Sequence, residues 1–266
     1  MNEPYNQFSK EYNDLYVQNI IEFQRNCSSE KDSQKKYVDF YPSFGIKPGV
    51  HCDFLVYGQA VNGWGSGFTL ETPVERLKLE ESIKYSNDYI NDHCPLDWVN
   101  VYWSKSTLKE NTKDESMKAF YPNIGYTSCT SFFWNVVYKL INKYCNEVDI
   151  NSWAWAKKLV WSNLYKIAPE RANPDEEEKL AQLETSIKLV EREIEELKPK
   201  YVIVLTNDSW WKPFRESLKT KTLEKPTSLD KIESYEQYKE TWIVVTTRPM
   251  AGNSDKHVEQ ILQLIK

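Results

Sequence analysis

The sequence is short of the residues that build covalent or metal-centred sites. Its five cysteines, at 27, 52, 94, 129 and 145, never fall as Cys-x-x-Cys, and their number is odd. That argues against a disulfide framework, a zinc ribbon or an iron–sulfur motif. The thiols read as reduced, in a cytoplasmic protein. Histidine is scarcer still. His51, His93 and His257 show no metal-ligand or triad spacing, so neither a metal nor a cofactor is expected. No apolar run is long enough to span a bilayer, and the start Met1-Asn-Glu-Pro lacks the basic, apolar pattern of a signal. Nor is there a basic excess. A formal net charge of -5 gives no chain-wide attraction for nucleic acid, though it says little about local patches.

Glycine is also rare, and its distribution is informative. Of eight glycines in 266 residues, five lie at 49, 58, 63, 65 and 67. Four of them belong to the stretch Asp53-Phe-Leu-Val-Tyr-Gly-Gln-Ala-Val-Asn-Gly-Trp-Gly-Ser-Gly67. The apolar run Phe54 to Tyr57 is too short for a helix and is cut by Gly58, which predicts a buried strand. The glycines after it let a ligand approach the backbone closely. The amides of Gln59 and Asn62 are held between them. A buried strand running into such a loop is where open α/β sheets place their sites. Aromatic residues make up 14% of the chain, with 10 Trp and 17 Tyr. That is more than a core of this size needs, so some should line a cleft.

Elsewhere, strands and helices alternate. Tyr12, Leu15, Tyr16, Ile20 and Phe23 predict a helix within a polar, aromatic extension covering residues 1–50. Helical spacing recurs over 74–91, inside an insertion at about 69–123. A buried helix is predicted over 128–144, and a strand from Leu159 into a proline-marked loop. The clearest amphipathic helix runs over 176–198 and is stopped by Pro199. Apolar strands follow at 201–206 and 242–246, with a short helix and loops over 212–239 and a closing helix over 254–265. The expectation is a single α/β domain over 51–266, a three-layer α/β/α fold with a central, mostly parallel, four-stranded sheet. Gly58, Asn163, Asn207 and Arg248 should then meet at one end of that sheet.

Three places together resemble the uracil-DNA glycosylase superfamily. Gly58-Gln59-Ala60 after an apolar strand is similar to that family's first motif. Ser162-Asn163-Leu164-Tyr165-Lys166-Ile167-Ala168-Pro169, with Asn173-Pro174 beyond it, resembles the strand whose Asn reads the base. Thr246-Thr247-Arg248-Pro249 stands where the family has a His-Pro motif. The resemblance covers roughly 50–266 and departs at several places: Val61 replaces the first motif's Pro, and the cysteine cluster of some branches is absent. Ala60 occupies the position of a catalytic Asp, as in branches with Gly-Glu-Ala-Pro, and Arg248 that of the His.

The resemblance implies a DNA glycosylase that flips a damaged or modified pyrimidine out of single- or double-stranded DNA and hydrolyses its glycosidic bond. The base would be uracil or a bulky modified cytosine, the latter as in phage defence, and the enzyme a monomer. Base-binding residues would be Gly58, Ala60, Asn62, Asn163 and a stacking Phe68. Catalytic residues would be Gln59, Arg248 and Asp208, the last as a water-activating group at a strand's carboxyl end. DNA would be contacted by Trp210, Lys212, Met250 and Asn253. The alternative is a non-catalytic module that keeps the fold and binds nucleic acid or a protein. The absence of a clear general base favours it.

Overall fold

The computed structural model describes residues 8–27, 35–60, 67–73, 82, 83, 86, 94–101, 103, 127–146 and 155–265. Asn62, most of the expected helix at 74–91 and most of the insertion at 69–123 lie outside them. The body begins with α1 (Lys10–Asn26), β1 (Tyr37–Asp39), β2 (Ser43–Phe44) and β3 (Phe54–Ala60). After it come α2 (Asp97–Val101), α3 (Phe132–Cys145), β4 (Leu159–Tyr165), β5 (Ile167–Pro169) and α4 (Glu176–Leu197). The chain closes with β6 (Tyr201–Val204), α5 (Asp208–Leu218), β7 (Lys221–Thr222), β8 (Ile232–Tyr238), β9 (Thr241–Thr246) and α6 (Ser254–Leu264).

The four expected strands are the parallel centre of the sheet, in the order β4-β3-β6-β9. The sheet itself is larger than expected. Antiparallel β2 adds one edge, and antiparallel β8 and β7 add the other, making seven strands of mixed direction. The sequence concealed β8 because its inward positions include Ser234 and Glu236, which break the apolar alternation of a half-buried strand. Those polar groups are satisfied from α5. Glu236 accepts from Trp211 Nε1 at 3.0 Å and from Arg215 Nε at 2.6 Å.

Alternate residues of the central strands feed two separate cores. Leu55, Tyr57, Val160, Val202 and Val204 pack beneath α1, α4 and α5. Phe54, Val56, Leu159, Trp161 and Ile203 pack beneath α2, α3 and α6. Helices on both faces explain the continuous apolar runs Phe54–Tyr57, Tyr201–Val204 and Trp242–Val245. α4 starts at a capping box, with the Asp175 carboxylate accepting from Glu178 N and the Glu178 carboxylate from Asp175 N. Such a cap contributes about 1 kcal/mol. α1 packs along α4, and Ser43 pairs with Trp161.

Register fixes which residues share the functional end of the sheet. Gly58 pairs with Asn163, Tyr57 with Val204, and Val204 with Val245. Gly58, Asn163, Asn207 and Arg248 therefore all emerge at the carboxyl end of the parallel strands. β3 connects outward to β4 on one side and β6 to β9 on the other. Strand order thus reverses between β3 and β6, and such a switch point is where open α/β sheets bind ligands.

Candidate functional site

The site starts from a contact between two adjacent strand ends. Asn163 is 2% exposed, and among the described residues its Nδ2 has no hydrogen-bond partner. A buried donor left unpaired costs about 1–3 kcal/mol. Asn163 can sit there because its neighbour across the sheet has no side chain. A Cβ at Gly58 would lie 2.5 Å from Asn163 Oδ1 and 3.7 Å from Phe133 Cε2. Phe133, in the first turn of α3, is half-buried beside the pair. Its ring lies 6.2 Å from that of Trp161, two residues before Asn163 on β4. A carboxamide, an aromatic ring and a bare backbone converge on one spot. Gly58→Ala should displace the Asn163 amide while leaving the core intact. The expected result is a folded protein whose Asn163 side-chain amide resonance has moved. An unmoved resonance would mean that the amide has room to spare.

Next to this spot the two strand-end loops are joined. Gln59 Oε1 accepts from Asn173 Nδ2 at 3.2 Å, which ties the start of the glycine loop to the loop after β5. Ala60 pairs with Tyr165. Burial, and secondarily Glu176, push the Tyr165 phenol up to about 12, so it stays protonated at neutral pH. Its ring meets Trp210 edge-on at 5.6 Å. Lys179 Nζ lies 4.1 Å from the Trp210 ring centroid, covering the indole with a cation. Trp210 thus stands half-buried at the site end of α5, whereas Trp211 is fully buried in the core.

The loop after β9 is anchored by a residue to which the sequence pointed no role. His257 of α6 places Nδ1 2.9 Å from the Asn253 carbonyl and Nε2 3.1 Å from the Thr247 hydroxyl, so the ring can donate from Nδ1 and accept at Nε2. Both ends of the loop are therefore pinned to one ring. Between them, Pro249 is buried, while Arg248 and Met250 face outward, Met250 at 64% exposure. Among the described residues the exposed Arg248 guanidinium makes no ion pair.

Several expected residues take other roles. Phe68 is not a stacking platform in this arrangement. It is buried, bridges Tyr37 backbone to backbone, and packs in the core with its ring 6.1 Å from that of Tyr37. Asp208, the expected water activator, is the first residue of α5, and its carboxylate is held by Arg215. Its own N–H donates to Glu233, whose carboxyl is raised by burial. Arg215, which could have faced phosphates, is likewise committed to Asp208, Ser234 and Glu236. Lys212 is exposed, 3.8 Å from Glu216 on the same helix. Asn253 is the N-cap residue of α6, with no side-chain capping bond. No group of three or more metal-ligating side chains occurs among the described residues, and none of their helices is long and apolar enough to cross a membrane.

Sequence reasoning missed Phe133 by placing it on a buried helix face. The signal was there in Ser131, whose capping oxygen starts α3 at the carboxyl end of the sheet and so puts the next residues at the site. No protein-family model matches this chain, and a search of curated proteins finds no relative, so the functional reading rests on the geometry of the site.

Proposed function

We propose that this chain is a DNA glycosylase that binds a flipped, modified pyrimidine at the Asn163–Gly58–Phe133 spot and hydrolyses its N-glycosidic bond. The observation that carries this reading is the buried, unpartnered Asn163 amide facing a side-chain-free neighbour. Several other buried polar atoms among the described residues are also unpaired, but this donor stands at the carboxyl end of the sheet beside a bare backbone, where an acceptor brought by a ligand can reach it. A carboxamide offers one donor and one acceptor, which matches the edge of a pyrimidine. Phe133 offers a ring face for stacking, a role the sequence gave to Phe68.

In the proposed reaction the bond between the sugar carbon and the base nitrogen breaks, and its electron pair leaves with the base. Water adds to the sugar carbon, and its proton ends on the base. Negative charge builds on the base, and a preorganised cation lowers that barrier most. Arg248 is the candidate. β9 lies three strand spacings from β4, about 14 Å at about 4.8 Å each. A flipped nucleotide and an extended arginine together bridge such a gap. Gln59 and the loop amides position the water. With a net charge of -5, DNA contact falls to local groups, namely Trp210, Lys212, Met250 and Asn253 around the switch point.

The second reading, a non-catalytic binding module, is favoured by one observation. Ala60 leaves no carboxylate on β3, and Asp208 is held by Arg215. A panel of oligonucleotides carrying uracil or bulky modified cytosines, scored for abasic sites, separates the two. Release of one base by the wild type, with Asn163→Ala weaker by about 1–3 kcal/mol as expected for one bidentate base contact, supports the enzyme. Binding without any abasic product supports the module.

A further inference from the structure

Directly behind Asn163 and Gly58, on the opposite face of the sheet, lies a buried ion pair. Lys166 and Glu193 are both 0% exposed, with Nζ 2.6 Å from Oε1. The other donors of Nζ reach Asn163 O at 2.6 Å and Ser162 Oγ at 2.7 Å, so the ammonium is fully used. Glu193 in turn accepts from Tyr57 OH at 2.8 Å and from Tyr12 OH at 2.6 Å. Ser162 and Tyr57 are the residues immediately before Asn163 and Gly58, and they pair with each other. One carboxylate therefore holds β4 through Lys166 and β3 through Tyr57, one step behind the candidate site. Through Tyr12 it also holds α1.

Stability alone does not account for this arrangement. A buried ion pair is often no better than an apolar pair of the same volume, because desolvation offsets the attraction. An apolar plug would fill the space equally well, but it would give the Asn163 carbonyl no donor. The geometry points to Lys166 as a positioning residue, held by Glu193, that fixes the Asn163 peptide so that its side-chain amide faces the ligand. This rests on the reading of Asn163 as the ligand-binding amide. It also makes α1 a support of the site rather than a removable extension.

The test is the double variant Lys166→Met, Glu193→Gln, which removes the pair without leaving a buried charge unpaired. Two measurements are made. The first is the 15N–1H resonance of the Asn163 side-chain amide, identified by its loss in Asn163→Ala. It should shift or broaden, while that of Asn142, whose Nδ2 donates to Tyr138 O within α3, stays in place. The second is base release. The double variant should lose about 5- to 140-fold, the loss expected for one bidentate base contact. Added to Asn163→Ala it should lose nothing more, because both act through the same amide. A folded double variant with an unmoved Asn163 resonance, or with losses that multiply, overturns the proposal. If the wild type releases no base, the glycosylase reading fails and the resonance alone decides. If the double variant does not fold, Tyr57→Phe removes a single bond to Glu193. The same resonance must then move, or the proposal is wrong.

Discussion

Arg248→Ala should lower the single-turnover rate of base release by about 10²–10³, the usual loss when one preorganised donor to a developing negative charge is removed. DNA affinity should change far less. A guanidinium stays protonated at any working pH, so Arg248 cannot pass a proton to the leaving base. It can only offset charge and donate hydrogen bonds. The structure adds a condition. Arg248 is exposed, and no ion pair with a described residue holds it in place. His257, by pinning Thr247 and Asn253, limits how far the loop can travel. Rate and affinity should therefore separate cleanly. If the variant keeps its single-turnover rate but binds DNA more weakly, with a salt slope smaller by about 1, Arg248 is a phosphate contact and another group must stabilise the base.

The parallel centre of the fold was legible because strands covered on both faces are apolar throughout. Phe54–Tyr57, Tyr201–Val204 and Trp242–Val245 need no partner information to be recognised. The edges were not legible. β8 carries Glu236 and Ser234 inward, and their burial makes sense only once Arg215 and Trp211 of α5 are seen to satisfy them. β2, at two residues, carries no periodicity at all.

The site divided in the same way. Gly58 stood out as strand punctuation and Asn163 through the family resemblance, and register brought them together. Phe133 and Lys166 did not stand out, since an aromatic at the start of an apolar helix and a lysine after a strand are ordinary in sequence. What sets them apart is which face they meet, and that depends on pairing between residues far apart in the chain. Asp208 shows the converse. Its position at a carboxyl end was read correctly, but its commitment to Arg215 was invisible without the helix between them.

The steepest loss of stability is expected in alkali, above about pH 10. Tyr12, Tyr16 and Tyr57 are all fully buried. Burial raises each phenol well above its ordinary value, helped by the negative charge of Glu193 beside Tyr12 and Tyr57 and of Asp39 beside Tyr16. A group whose folded pKa is raised contributes stability that is fully present below its unfolded pKa and lost as pH climbs above it. In that window the folded chain keeps a proton that the unfolded chain has released. Each phenol contributes about 1.4 kcal/mol per pH unit, so three give about 4 kcal/mol per unit.

Lys166 acts in the opposite sense. Burial lowers its pKa, with partial compensation from Glu193, so the unfolded chain binds the extra proton until about pH 10.5. The net loss therefore steepens above about pH 10.5. A domain margin of about 5–15 kcal/mol would be consumed within about one to four further pH units. Tyrosinate absorbance and far-ultraviolet circular dichroism, followed together, check this. The exposed tyrosines should titrate first with no loss of structure, and the buried set should then appear in one cooperative step that coincides with unfolding. Tyr12→Phe should reduce the slope of stability against pH by about 1.4 kcal/mol per unit. Gradual titration of every tyrosine with the circular dichroism unchanged would show that these phenols can ionise in place, and that the hub behind the site is open to solvent.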